Sequence, residues 1–429
     1  MRETLDQALK GIRVADLTII TAGASATQML ADLGAEIIKV ESGPYPDPFR
    51  YWASPAGSDT EPPPDPWNWA PSFNMVNRNK QGVCLDMKHP KGRETFLKLV
   101  EVSDMVTENF RQGVMDRLGI GYETLRQVNP KIIMLSLGSQ GSTGPESRYG
   151  SYGSTLDALS GLMGITGYTD SHPLWSSGEV NYPDQVASMF GAGILLAAIR
   201  HRDRTGQGTY IDLSQREMVT TMIGEHMLEY TVEGRMPVQQ GNRHPTLAPN
   251  DCYRCAGDND WVAISVGGND EWRALCQTIG QPDLIDDERY RTPQARSANQ
   301  ASLRPTIEAW TSTRSKREAM DALQAAGVRA GAVLTGADML QDPHLNARGY
   351  YQPVENIRSG HQTLRIAPYK LSRTPPTVQR PAPTLGQDTE SVLRNVLGMS
   401  DEQIQELADL GVTTNAARST RARVKQPAK

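Results

Sequence analysis

The chain has 429 residues, 38% of them hydrophobic and 22% charged, with a formal net charge of −5. Such a length exceeds one ordinary core and predicts two or more domains. The mild acidity gives nucleic acid no footing, and no apolar run is long enough for a membrane span.

The opening stretch, MRETLDQALKGIRVADL, lacks the apolar core and small-residue cleavage site of a secretory signal, so a cytoplasmic protein is expected. Residues 11–18, GIRVADLT, form a short β-branched run. SATQMLADLGA then reads as helix, and EIIKVE (36–41) as a second strand, which makes one βαβ unit. The alternation repeats through GVCLDM (82–87), a helix over PKGRETFLKLVEVS, DMVTENF (104–110) and KIIMLSL (131–137). Strands alternating with helices predict a doubly wound parallel α/β sheet, Rossmann-like in its winding. Ligands of such sheets sit beyond the strands' carboxyl ends, which directs attention to TAGA, KVES and TENFR. The loop at 21–25 has neither the GxGxxG spacing of a dinucleotide site nor a Walker A pattern.

Residues 42–76 break the alternation with prolines, glycines and acids, yet carry Trp52, Trp67 and Trp69. A plain linker seldom holds three tryptophans; an ordered excursion covering a partner subunit or an active site is expected. A long apolar helix is predicted over 184–202. Asp184 at its start is either a helix cap or a nucleophile kept ionised by the helix N-terminus. GTYIDLS (208–214) adds a strand, followed by another helix.

Beyond 226 the pattern becomes that of a smaller α+β domain, inserted into the first and ending near 328. RAGAVLT (329–335) then reads as a return to the large domain, which would run through a final helix pair to residue 412. A polar basic tail occupies 413–429. The four cysteines, Cys84, Cys252, Cys255 and Cys276, contain a single CxxC pair, and the seven histidines are scattered. Reduced structural thiols and no metal site are expected.

In order along nearly the whole chain, GIRVADLT…AGASATQMLADLGAEIIKVES, NRNKQGVCLDMKHPKG, VTENFRQGVMDRLGIGYETLRQVNPKIIMLSLGSQGSTGP, ALSGLMGITG, RTGQGTYIDLS, GNRHPTLAPN and DPHLNARGY resemble the family III coenzyme A transferases. That group includes formyl-CoA, carnitine-CoA and benzylsuccinate CoA-transferases. The resemblance implies exchange of coenzyme A between a thioester and a free carboxylic acid, with no tightly bound cofactor. It also implies an interlocked dimer, either of one chain or of two related subunits. Asp184 matches the family's nucleophile, which forms a mixed anhydride and then an aspartyl-CoA thioester. Racemases of the same fold pair that aspartate with an upstream histidine; here YGSYGSTLDALSG has Tyr152 in its place, which favours the transferase. A CoA-binding subunit without activity is the third alternative.

For coenzyme A, the resemblance assigns contacts to Thr21, Ala22, Leu85, Asn109, Phe110 and Arg117. Ser42 stands where the family often has arginine, so that one nucleotide contact is either absent or supplied by Arg50. On chemical grounds alone, Arg50, Arg78, Lys80 and Arg111 are further phosphate candidates, weighed against ordinary solvated surface charges. Asn242 and His244 of GNRHPTLAPN face either the acyl group or a structural turn. The tryptophan-bearing excursion and SSGEVNYPD look closest to the benzylsuccinate branch, with succinyl-CoA as donor. Trp52, Trp67, Trp69 or Tyr182 would then form aromatic pocket walls.

Overall fold

The computed structural model describes residues 7–52, 65–169, 171–176, 182–358 and 360–415. Two compact units emerge: Met163–Leu174 with Glu229–Asn346 form one, and the rest of the chain forms the other. No helix among the described residues is long and apolar enough to cross a membrane.

The larger unit is built on six strands: β1 (Arg13–Asp16), β2 (Glu36–Glu41), β3 (Lys80–Cys84), β4 (Met105–Glu108), β5 (Ile133–Gly138) and β6 (Thr209–Ser214). All pair in parallel in the order β3-β2-β1-β4-β5-β6, the doubly wound arrangement. Successive strand residues point to opposite faces, so each strand feeds two cores. Ala15, Ile38, Val106 and Met134 face one, while their neighbours Val14, Ile37, Met105 and Ile133 face the other. This double burial makes the strands near-continuous apolar runs.

Helices α1 (Ala22–Asp32), α2 (Pro90–Glu101), α3 (Gly153–Leu159), α4 (Tyr182–Thr205) and α5 (Gln215–Met222) belong to this unit. The second core holds α1 and α4 through Leu30, Ala187 and Leu195. Small residues permit their close approach. A Cβ on Gly191 would lie 3.3 Å from Leu137 Cδ1 and 3.4 Å from the Ala26 methyl. The α4 helix starts at Tyr182, two residues before the predicted start, because Pro183 is tolerated in a first turn. Asp184 is therefore the third residue of the helix and not its cap.

The smaller unit has an antiparallel sheet of β7 (Asn250–Arg254), β8 (Trp261–Ser265) and β9 (Arg329–Ala332). Helices α6 (Asn269–Thr278), α7 (Gln300–Thr311) and α8 (Lys316–Ala325) pack on it around Trp272, Leu275, Ile307 and Leu323. Here the sequence expectation is corrected: RAGAVLT does not return to the large sheet at 329 but pairs with β8. A short apolar run encodes a strand without encoding which sheet receives it.

The larger unit resumes with the β10 (Tyr351–Asn356) and β11 (Gly360–Arg365) hairpin. It closes with α9 (Thr389–Asn395) and α10 (Asp401–Asp409), which seal the first core with Leu393 and Leu407. Gly398 and Gly411 take φ of 64° and 70° just beyond those helices, a left-handed stop that suits glycine. The basic tail lies outside the described residues except for 413–415.

Candidate active site

In a sheet of order 3-2-1-4-5-6 the connections leave in opposite directions after β1 and β4, and a crevice opens between them. A cavity of about 500 Å³ occupies that place. The loop after β1 contributes Ile19 to Ala22, the loop after β4 contributes Asn109 to Arg111, and the segments after β5 and β6 contribute Ser139, Ser151 and Gln215. Asp184, from the first turn of α4, completes the wall.

The loop after β1 is held tightly. Ile20 has φ of 62°, an uncommon and costly conformation for a β-branched residue. Its N–H donates to Asp47 Oδ1 at 3.0 Å. Asn109 clamps the preceding peptide from both sides, accepting from Ile19 N at 2.7 Å and donating to Ile19 O at 2.9 Å. Lys39 Nζ donates to Thr18 O at 2.6 Å. Asp184 is 8% exposed. Ser188 Oγ lies 2.6 Å from Asp184 O and 2.7 Å from Ala22 O, so one hydroxyl joins the first turn of α4 to that of α1.

Among the described residues, Asp184 and Arg111 are the only charged side chains lining the cavity. The exposed Arg111 guanidinium packs over Gly150, where a Cβ would lie 2.7 Å from Nη2. No histidine is among the lining residues, and Tyr152 stands on the wall with Asp184.

Of the residues the sequence singled out, the structure brings Thr21, Ala22, Asn109, Phe110, Arg111, Tyr152 and Asp184 together. The structure places others elsewhere. Leu85 is a core residue, 1% exposed. Arg117 is exposed and, like Tyr182, does not line the cavity. Lys80 and Arg50 are buried rather than solvated, and their charges are engaged within the protein. Lys80 Nζ directs its three protons to Asp16 Oδ2 (2.9 Å), Ala24 O (2.9 Å) and Thr27 Oγ1 (2.8 Å). Arg50 forms a bidentate pair with Glu41 at 2.8 and 2.7 Å and also donates to Asn68 Oδ1. Its guanidinium lies 3.6 Å from the Phe73 ring centroid. Arg78 is likewise buried against Asp32. With Arg50 so engaged, it does not replace the arginine missing at Ser42.

In the smaller unit, His244 Nδ1 accepts from Thr246 N and Leu247 N, both at 3.2 Å, which is the structural turn. Asn242 pairs with Asp251 at 3.0 Å. Trp67 and Trp69 are half-buried within the excursion and absent from the cavity wall; the Trp52 side chain and residues 53–64 lie outside the described residues. The aromatic that does reach the wall is Trp175, from a loop with no periodic signal to reveal it. Gln215 and Ser139 were also missed, although both follow the carboxyl ends of predicted strands.

Glu108 ends β4 beneath this loop. It is 4% exposed, and its Oε2 accepts from Phe110 N at 2.6 Å. Burial pushes its carboxyl up to about 7; Asp116 and Asp212 add to the rise, while Ser136 and the Phe110 N–H oppose it. A carboxyl with a raised folded-state pKa binds its proton more tightly when folded. Its stabilising contribution is therefore complete below about 4.5 and declines as pH rises through about 7. Glu108→Gln is expected to leave the melting temperature unchanged near pH 5 and to raise stability near pH 8, by up to about 3 kcal/mol. Thermal melts across pH check this; parallel profiles for variant and wild type would refute it.

Comparison with known proteins adds four findings. The model of "CoA-transferase family III" matches residues 9–389. The probable CoA-transferase Rv1866 of Mycobacterium tuberculosis is 34% identical over 406 residues, covering 93% of this chain and 49% of that protein; the chain thus spans about half the length of that relative. Succinyl-CoA–D-citramalate CoA-transferase of Chloroflexus aurantiacus is 33% identical over 399 residues, covering 93% of this chain and 96% of that one. The crystal structure of a CAIB/BAIF family protein from Brucella suis superimposes with a TM-score of 0.82 at 30% identity, over 91% of this chain and all of that one.

Proposed function

Because the chain belongs to CoA-transferase family III, we propose that it moves coenzyme A from succinyl-CoA to a free dicarboxylic acid, with Asp184 as nucleophile. The observation that carries this reading is Asp184 itself, the one carboxylate on the cavity wall among the described residues. It stands in the first turn of a long helix, whose N-terminus favours the ionised form by about 0.3–1 kcal/mol at exposed sites and more when partly buried.

The chemistry balances without a proton, a metal or a redox partner. The Asp184 carboxylate attacks the thioester carbonyl, the C–S bond breaks, and a mixed anhydride and CoA thiolate result. The thiolate attacks the aspartyl carbonyl, releasing the donor acid as a carboxylate and leaving an aspartyl-CoA thioester. The acceptor carboxylate then attacks that carbonyl, the C–S bond breaks, and a second anhydride forms as the CoA thiolate is expelled. Thiolate attack on the acceptor's own carbonyl frees Asp184. Each step exchanges one acyl bond for another, which is the advantage of a covalent route.

The succinyl donor and dicarboxylic acceptor rest on the Chloroflexus relative, whose name gives both. Phe110, Tyr152 and Trp175 on the wall support an aromatic acceptor such as benzylsuccinate within that class. Met189, Phe190, Ile194 and Leu196 of α4 are exposed apolar side chains, a surface that fits an interlocked dimer of this chain or a pairing with a related subunit.

A panel assay tests the reading: succinyl-CoA is mixed with succinate-like, aromatic and monocarboxylic acids, and new thioesters are resolved by chromatography. Transfer to dicarboxylates is expected. Failure with every dicarboxylate would remove the substrate class, and deuterium exchange at the α-carbon without transfer would reinstate the racemase.

A further inference from the structure

Gln215 opens α5 immediately after β6 and is 6% exposed. It lines the same cavity as Asp184, yet its Oε1 is buried without a hydrogen-bond partner among the described residues. Its neighbours show that this is not a general looseness of the helix start. Ser214 Oγ caps α5 by accepting from Glu217 N at 3.3 Å. Arg216 N donates to Ser139 O at 3.0 Å, and the Arg216 guanidinium pairs with Glu146. Gln140, behind the wall, donates to Ser151 Oγ at 3.1 Å.

Buried acceptors are nearly always paired in folded proteins. An orphan on a cavity wall marks a place where a ligand supplies the missing donor, since leucine or methionine would seal the position without an unmet acceptor. Carboxylate groups bring no donor. An acyl-CoA offers donors of two origins: those of coenzyme A itself, above all the amide N–H groups and the hydroxyl of its thiol arm, and a hydroxyl where the acyl group is that of a hydroxy acid.

We propose that Gln215 is a substrate-contacting residue whose carboxamide oxygen accepts a hydrogen bond from an N–H or O–H group of the bound acyl-CoA. The proposal rests on the CoA-transferase reading and adds to it a residue that selects for a donor hydrogen. If the donor is a hydroxyl, the preferred acid is a hydroxy-dicarboxylate over its deoxy counterpart.

The test is Gln215→Leu, measured in three ways. Calorimetry gives the Kd of free coenzyme A without turnover; steady-state kinetics give KM for acyl-CoA and the selectivity between a hydroxy-dicarboxylate and its deoxy form; thermal melts give stability. If the thiol arm is the donor, Kd for coenzyme A and KM for every acyl-CoA rise together by about 3- to 10-fold, with selectivity unchanged. If the acid's hydroxyl is the donor, coenzyme A binding stays constant and hydroxy-acid selectivity falls by about 3- to 10-fold. Either result supports the contact. In both, the melting temperature holds or rises, because no bond within the protein is lost. Constants all within about twofold of wild type overturn the proposal, as does a melting temperature that falls while binding and kinetics stay unchanged. Coenzyme A binding by wild type without transfer to any acid defeats the transferase reading instead, and leaves the Gln215 contact to be judged by Kd.

Discussion

Asp184→Ala is expected to lower CoA transfer by on the order of 10⁴-fold or more, while the protein folds and binds coenzyme A as wild type does. The size of the effect follows from the route. Without the carboxylate no anhydride forms, and no other carboxylate among the described lining residues takes its place. Asp184 is the third residue of α4, so the Ala variant removes no N-cap side chain, and alanine is the best helix former. The Ser188 contact is made to the Asp184 backbone carbonyl and survives. Asp184→Asn provides the closer control, matching the shape but withholding the nucleophile. The same variants give a second readout. Hydroxylamine added with an acyl-CoA should convert this one side chain of wild type to a hydroxamate, detectable by peptide mass, and should leave the variants unmodified. Near-wild-type transfer by Asp184→Ala would end the aspartyl mechanism, and retained transfer with labelling elsewhere would show which residue replaces it.

What the sequence revealed follows from what is local. The strands of the large sheet were legible because residues buried on both faces must be apolar in succession, as in EIIKVE and KIIMLSL. The winding followed from their alternation with helices, and the winding indicated where a ligand would sit. The membership of β9 was not legible, since pairing with β8 is decided by a partner more than 60 residues away. The same limit misled the reading of the basic residues. Arg50, Arg78 and Lys80 lie in a polar, irregular stretch, and composition there suggests surface or phosphate. Glu41, the partner of Arg50, is nine residues away, but the other two find theirs in distant elements: Asp16 is 64 residues from Lys80 and Asp32 is 46 from Arg78. Gln215 escaped notice because an unpaired acceptor exists only once everything around it has been placed.

Arg50 and Arg111 give that distinction a measurable form. Arg50→Ala should cost about 3–5 kcal/mol, because it strands the Glu41 carboxylate, 5% exposed, without its cation. Burial alone would raise that carboxyl, and the Arg50 guanidinium beside it holds it below the usual range. At roughly 2–4 °C per kcal/mol for a domain of this size, the melting temperature should fall by about 10 °C, with KM for acyl-CoA unchanged in the molecules that remain folded. Arg111→Ala should do the reverse. Its exposed side chain supports no core, so melting should stay put, while loss of the only cation lining the cavity among the described residues raises KM for acyl-CoA about 10-fold. If Arg50→Ala melted as wild type and lost coenzyme A affinity, Arg50 would be a nucleotide contact after all. A third variant separates pairing from packing. Replacing Glu41 and Arg50 together by leucine and methionine removes both charges, and apolar substitutes for a buried ion pair are often neutral or stabilising. Recovery of most of the lost stability in that double variant would mean that the stranded charge, and not the volume removed beside Phe73, is what Arg50→Ala costs.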